Sequence, residues 1–138
     1  MPTAAKAITL LAACLSLGAC TTTSLTSGVT APTTKDTIIA QMNGGLIGGD
    51  LGKKLPERER RKALEAEYRA LEYTPARTPV TWKADNGRMG GEVVAAQPYR
   101  VGSQDCRQYS HKLSDGVRES EARGTACRNP DGSWTPLT

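Results

Sequence analysis

The residues of this chain best suited to chemistry are four cysteines, Cys14, Cys20, Cys106 and Cys127, and a single histidine, His111. Nucleophilic catalysis needs a nucleophile held against a base, and a metal needs several ligands at set spacing. Ser110 and His111 are neighbours on what reads as a strand, so their side chains point to opposite faces and do not form a couple. No second His or Cys stands at metal spacing from His111, which reads as a packed or surface residue, and no metal site is expected. Cys106 and Cys127 read as a disulfide. Free thiols or a redox pair are the alternatives, the last disfavoured because no CxxC motif is present. Trp82 and Trp134 are either an interaction surface or the main core residues of a chain that has no Phe. Asp85, Asn86 and Gly87, like Asp131 and Gly132, are turn-forming residues rather than a nucleotide loop. No residue is assigned a catalytic role.

Cys20 belongs to a different chemistry. Lys6 is followed by an apolar run from Ala7 to Ala19, shorter than the roughly 20 residues of a membrane span and suited to the hydrophobic region of an export signal. Leu17, Gly18 and Ala19 directly before Cys20 resemble the bacterial lipobox. The resemblance implies cleavage before Cys20, a diacylglycerol on its thiol and a further acyl chain on the new amine, with no other cofactor. Each buried methylene adds about 0.8 kcal/mol, so two or three chains hold firmly where one does not. An ordinary signal peptide with a chance cysteine, or a buried N-terminal helix, is the alternative. By analogy with bacterial sorting, Thr21 after the anchor favours the outer membrane. With Cys14 removed and Cys20 lipidated, Cys106 and Cys127 remain to pair, as suits an oxidising compartment.

These groups must be positioned by a small frame. The 138 residues are 38% apolar and 4% aromatic, enough for one domain with a thin core, and 14 Gly and 8 Pro favour turns and short strands over a helical bundle. The formal charge of +4 falls to +3 once Lys6 leaves with the signal. The excess is mild and dispersed, which argues against a nucleic-acid partner.

Along the chain, 1–19 is the signal peptide and 20–36, rich in Thr and Ser, a flexible tether. In 37–55, Gly44, Gly48 and Gly52 recur every fourth residue, echoed by Gly45 and Gly49. On a helix this spacing makes a smooth face for close helix approach. Asn43, Asp50 and two lysines interrupt the apolar run, so a loose segment near the bilayer surface is preferred over an inserted helix. The domain proper is 56–138. Pro56, with Glu57 and Glu59 behind it, opens a helix to about Tyr73. Leu64, Tyr68 and Leu71 form its apolar stripe, while Arg58, Arg61, Glu65 and Glu72 are expected to stay wet. Pro75 and Pro79 end it.

The remainder reads as antiparallel strands, giving an α+β fold with about four to five strands after one amphipathic helix. Val80 to Lys83 and Glu92 to Ala96 form a first hairpin around Asp85, Asn86 and Gly87. Cys106 to Leu113 and Glu119 to Cys127 form a second, turned at Gly116 and Val117. Centring that turn sets Tyr109 opposite Gly124, His111 opposite Ala122 and Arg107 opposite Ala126 on one side. On the other, Lys112 meets Glu121, Ser110 meets Arg123, Gln108 meets Thr125 and Cys106 meets Cys127. Trp134 follows a turn as a last short strand.

Trp82, Asp85 to Gly87, Pro98 to Arg100, Cys106, Arg107, Tyr109 and the run GTACRNPDGSW from Gly124 to Trp134 together resemble the rickettsial 17 kDa surface antigen family of outer-membrane lipoproteins. In that family the glycine zipper is longer and two-pass, whereas only a short Gly44 to Gly52 piece stands here. The resemblance implies a lipid-anchored envelope protein and supplies no reaction. The expected role is therefore structural or interactive and not enzymatic, with membrane lipid and an envelope protein or cell-wall component as partners. A periplasmic binding or inhibitor module using the sheet face or the two tryptophans is the alternative.

Overall fold

A computed structural model describes residues 35–137. The signal peptide, Cys20 and nearly all of the tether lie outside these residues. The order is a short helix α1 (Lys35–Ala40), a 3-10 turn (Asp50–Gly52), the long helix α2 (Glu57–Glu72), and strands β1 (Val80–Lys83), β2 (Gly90–Ala95), β3 (Tyr99–Val101), β4 (Gln104–Ser114), β5 (Glu119–Arg128) and β6 (Trp134–Leu137).

Helix α2 starts where the sequence signals it. Pro56 is the N-cap, Glu57 and Glu59 occupy the first turn, and Tyr73 is the C-cap, its N–H donating to the Arg69 carbonyl. Its buried face is broader than the Leu64, Tyr68 and Leu71 stripe, since Ala63, Ala66, Glu67 and Ala70 are buried too. Alanines have little side chain to hold the backbone off, so the helix lies close over the sheet. Glu72 departs from the wet role expected of it, because its carboxylate pairs with Arg128 and keeps only 15% side-chain exposure.

The strands form one antiparallel sheet in the order β1-β2-β4-β5-β6, with β3 paired to the start of β4. In the long β4–β5 hairpin Cys106 faces Cys127, Tyr109 faces Gly124, His111 faces Ala122 and Lys112 faces Glu121, which is the register set by the turn at Gly116. Gly116 has φ +87, and Asp115 Oδ1 accepts the N–H groups of Val117 and Arg118 to close the turn. Arg107, Tyr109, His111 and Leu113 alternate inward under the helix while Gln108 and Lys112 stay exposed. β3 was not anticipated. Three residues between Pro98 and the turn at Gly102 are too few to show a strand period.

The glycine-rich segment differs from expectation. Ile39, Met42, Ile47 and Leu55 are buried in the same core as Leu71, Trp82, Val93 and Trp134. Rather than lying loose, the segment coils on itself and packs against α2 at Glu67 and against β5 at Gly124. A Cβ on Gly52 would stand 1.9 Å from the Ile47 carbonyl oxygen, and one on Gly45 (φ +60) would stand 2.0 Å from Glu67 Oε2. The periodic glycines thus serve close backbone approach within the core. No helix among the described residues is long and apolar enough to cross a membrane.

Candidate functional site

Ionisable groups converge at two places between α2 and the sheet. The first is centred on Glu67, which with His111 is wholly buried. Glu67 Oε1 accepts the Ile47 N–H at 2.9 Å and His111 Nδ1 at 2.7 Å. Its Oε2 accepts the Leu46 N–H at 2.9 Å and the Tyr109 hydroxyl at 3.4 Å. An indole N–H can only donate, so the 2.9 Å contact from Trp82 Nε1 makes His111 Nε2 an acceptor and puts the ring proton on Nδ1. Burial and the adjoining Glu67 charge push the Tyr109 hydroxyl well above its ordinary range.

A carboxylate aligning a histidine is the arrangement that activates a nucleophile in hydrolases. Here the position beyond the ring belongs to an indole N–H, which has no lone pair to attack with. The cluster instead ties the glycine segment, α2, β1 and β4 through one carboxylate.

The second place is the C-terminal end of α2. Arg107 retains 6% exposure. Its Nη1 donates to the carbonyls of Ala70 at 2.9 Å, Leu71 at 2.7 Å and Thr74 at 3.2 Å, and its Nε to Ala96 at 2.8 Å. The last helical carbonyls have no partner within the helix, and the helix end is electronegative, so a buried guanidinium satisfies both needs. Burial lowers the Arg107 pKa from its usual value. Beside it Arg128 grips Glu72 in a two-point contact, both at 2.8 Å, and Trp134 Nε1 donates to Glu72 Oε2 at 2.8 Å. Arg128 thereby holds the Glu72 carboxyl below the usual carboxylate value. Between these groups, Tyr99 and Arg100 lies a depression of about 340 Å³.

Cys106 and Cys127 form a disulfide across neighbouring strands, with Cα atoms 4.0 Å apart. Trp82 and Trp134 retain 7% and 2% exposure, so neither offers an interaction surface. In a core without Phe they are the largest apolar groups available, and each indole N–H has found an acceptor, buried His111 for Trp82 and part-buried Glu72 for Trp134. His111 is packed and Ser110 lies on the opposite face, as strand alternation requires. Among the described residues no group of His, Cys, Asp and Glu is arranged to hold a metal. Cys20 lies outside them.

Sequence reasoning passed over Glu67 and the role of Arg107. Both had a signal. Glu67 lies four residues from Ala63 and from Leu71 on the buried face, and Arg107 shares strand parity with Tyr109, His111 and Leu113. A charge placed inside an apolar period calls for a buried partner.

The fold and these two clusters define a disulfide-stapled α+β domain whose interior charges act as braces. The family model described as "17 kDa outer membrane surface antigen" matches residues 69–135. Over these residues the chain is similar to this surface antigen family. It is 37% identical over 86 residues to the "17 kDa surface antigen" of Rickettsia bellii (strain RML369-C), covering 61% of this chain and 54% of that protein. To the "17 kDa surface antigen" of Rickettsia felis it is 38% identical over 81 residues, covering 58% and 51%. To that of Rickettsia prowazekii (strain Madrid E) it is 33% identical over 79 residues, covering 56% and 50%. The chain thus spans about half the length of the curated relatives it matches. No solved structure matches it.

Proposed function

We propose that this chain is an outer-membrane lipoprotein, anchored through acyl chains on Cys20, whose domain has a structural or envelope-interaction role and catalyses no reaction. The observation that carries the non-enzymatic part is the Glu67–His111–Trp82 chain. Every donor and acceptor in it is engaged in bracing, and Glu67 and His111 have no exposure from which to meet a substrate. The printed names of the relatives, with "outer membrane" in the family description, support an envelope location. The lipobox before Cys20 supports the anchor.

Metabolic labelling with palmitate tests it. The native chain is expected to take label and fractionate with the outer membrane, and Cys20→Ala to take none. Equal, unlabelled export of both would end the anchor reading.

A periplasmic binding or inhibitor module is the second reading. Its contact surface cannot be the buried tryptophans. The sheet face turned away from α2, where Gln108, Ser110, Arg123 and Thr125 line a groove of about 480 Å³, is the surface that favours it.

A further inference from the structure

The basic excess, dispersed along the sequence, collects at one end of the folded domain. Arg58 lies 2.7 Å from Asp85 and Lys62 pairs with the same carboxylate, which ties the start of α2 to the β1–β2 turn. A Cβ on Gly116 would stand 3.3 Å from the Arg88 carbonyl oxygen, so the β4–β5 turn lies against the β1–β2 turn. Arg60 Nη2 donates to the Leu55 carbonyl at 3.0 Å and holds the stretch with Lys53 and Lys54 at the same end. The three stretches brought together, 50–62, 85–88 and 115–118, hold eight Lys and Arg against five Asp and Glu. The rest of residues 20–138 holds nine of each sign, so the whole excess stands here. Lys54, Arg61 and Arg88 are exposed and form no ion pair among the described residues. At the same end Val117 is 91% exposed, with Arg118 beside it. The β4–β5 turn is closed by Gly116 and the Asp115 carboxylate, so the fold itself has no use for an apolar group at this tip.

We propose that this end of the domain seats on an anionic phospholipid surface, with Val117 entering the headgroup layer and the surrounding lysines and arginines meeting lipid phosphates. The inference rests on the envelope location in the proposed function and adds a contact made by the protein itself to the acyl anchor. A tip that is apolar at its apex and basic around it matches the two layers of a phospholipid surface, phosphates outside and hydrocarbon beneath. The path of the chain agrees. The residues that follow Cys20 enter the domain through α1, where Asp36 and Ile39 border a depression shared with Glu57, Arg60 and Arg61 at the start of α2. Cys20 stands 15 positions before Lys35, a reach of at most about 50 Å. A bilayer holding acyl chains on Cys20 is therefore presented to the basic end at high local concentration, and a contact too weak to bind alone suffices to orient the domain.

Residues 20–138 produced with Cys20→Ser are mixed at low salt with vesicles of phosphatidylcholine alone and of phosphatidylcholine with an equal part of phosphatidylglycerol, and bound protein is measured by cosedimentation at millimolar lipid. The anionic vesicles are expected to bind at least about tenfold more tightly than the neutral ones, and to release the protein as salt is raised. Lys54, Arg61 and Arg88 changed together to Gln are expected to weaken binding at least about thirtyfold, each cation being worth about fivefold at such a surface. Arg69, Arg77 and Arg100 changed to Gln remove equal charge from the far end and are expected to weaken it by less than about threefold. Val117→Asn is expected to lose about fivefold on anionic vesicles. All seven positions are exposed, and unchanged circular dichroism spectra verify the fold. Equal binding to both vesicles, equal losses in the two triple variants, or full affinity in Val117→Asn overturns the proposal. Binding to neither vesicle overturns it as well and leaves this end to an acidic protein. The chain assayed carries no acyl group, so none of these outcomes bears on palmitate labelling and the two readings fail separately.

Discussion

Glu67 on α2 and His111 on β4 stand 44 residues apart in sequence and meet at 2.7 Å with no solvent between them. Four donors converge on this one carboxylate, two of them backbone amides of the glycine segment. A buried carboxylate is costly unless its lone pairs are met, and here the partners come from two separate parts of the chain, the glycine segment and β4. The domain can bury Glu67 only after α2, β4 and the segment around Leu46 have come together, so the pair couples their folding.

Replacing Glu67 with Gln keeps the shape and turns one acceptor into a donor facing N–H or O–H groups. Whichever oxygen is replaced, two native donors lose their acceptor. The substitution is expected to lower unfolding stability by about 3 kcal/mol, the cost of buried donors left unsatisfied. Urea unfolding followed by tryptophan fluorescence measures this, and a loss below about 0.5 kcal/mol would mean that the cluster is no brace.

The glycines separate a packed segment from a loose one. Gly45→Ala and Gly52→Ala each drive a methyl group into atoms about 2 Å away, and are expected to destabilise by about 3 kcal/mol or more. Gly87→Ala, at φ +67 with open space around it, should lose only about 1 kcal/mol through backbone strain. Thermal melts of the three variants compare them directly. Similar small shifts for all three would contradict the packing of 37–55 into the core.

Reducing the Cys106–Cys127 bond, or replacing both residues with Ser, releases a loop of sequence separation 21. A loss of about 3 kcal/mol is expected in the chain-entropy model. Because Lys112 opposite Glu121 and Tyr109 opposite Gly124 keep the same register, strand pairing is expected to survive. Denaturant unfolding with and without dithiothreitol reads the first expectation and amide exchange across the hairpin the second. Exchange protection lost throughout β4 and β5 on reduction would show that the bond, not the side-chain pairing, holds the register.

Acid should act through Glu72. The Arg128 bonds lower its folded pKa below the ordinary 4.5, so the unfolded chain takes up the proton first. Its contribution is present above about pH 4.5 and is lost as pH falls toward the depressed folded value. Glu72→Gln removes that dependence. The stability difference between native and variant chains is expected to shrink steadily below pH 4.5, measured as urea midpoints across an acid series. A constant offset at every pH would refute the coupling.

Much of the frame is legible before any coordinates because its causes are local. Pro56 with two glutamates behind it places the start of α2 within a residue, and Tyr73 ends it as the spacing predicts. Gly116 at a left-handed turn centres the β4–β5 hairpin, and once the centre is known, strand alternation decides every pair down to Cys106 and Cys127. What escapes is of another kind. Gly44, Gly48 and Gly52 carry the spacing of a membrane-facing stripe, yet Gly44 and Gly48 close on each other and Gly52 on Ile47, because spacing records small size and not what fills the space beside it.

The sequence by itself determined the helix boundaries, the hairpin register and the cysteine pairing, since each rests on residues a few positions apart or on strict strand alternation. Only the tertiary structure decided that Glu67 closes on His111, that Arg107 caps the end of α2, that both tryptophans are buried and that the glycine segment belongs to the core. Those outcomes depend on which distant groups share one dry interior, where a charge needs a partner, and no local pattern names that partner.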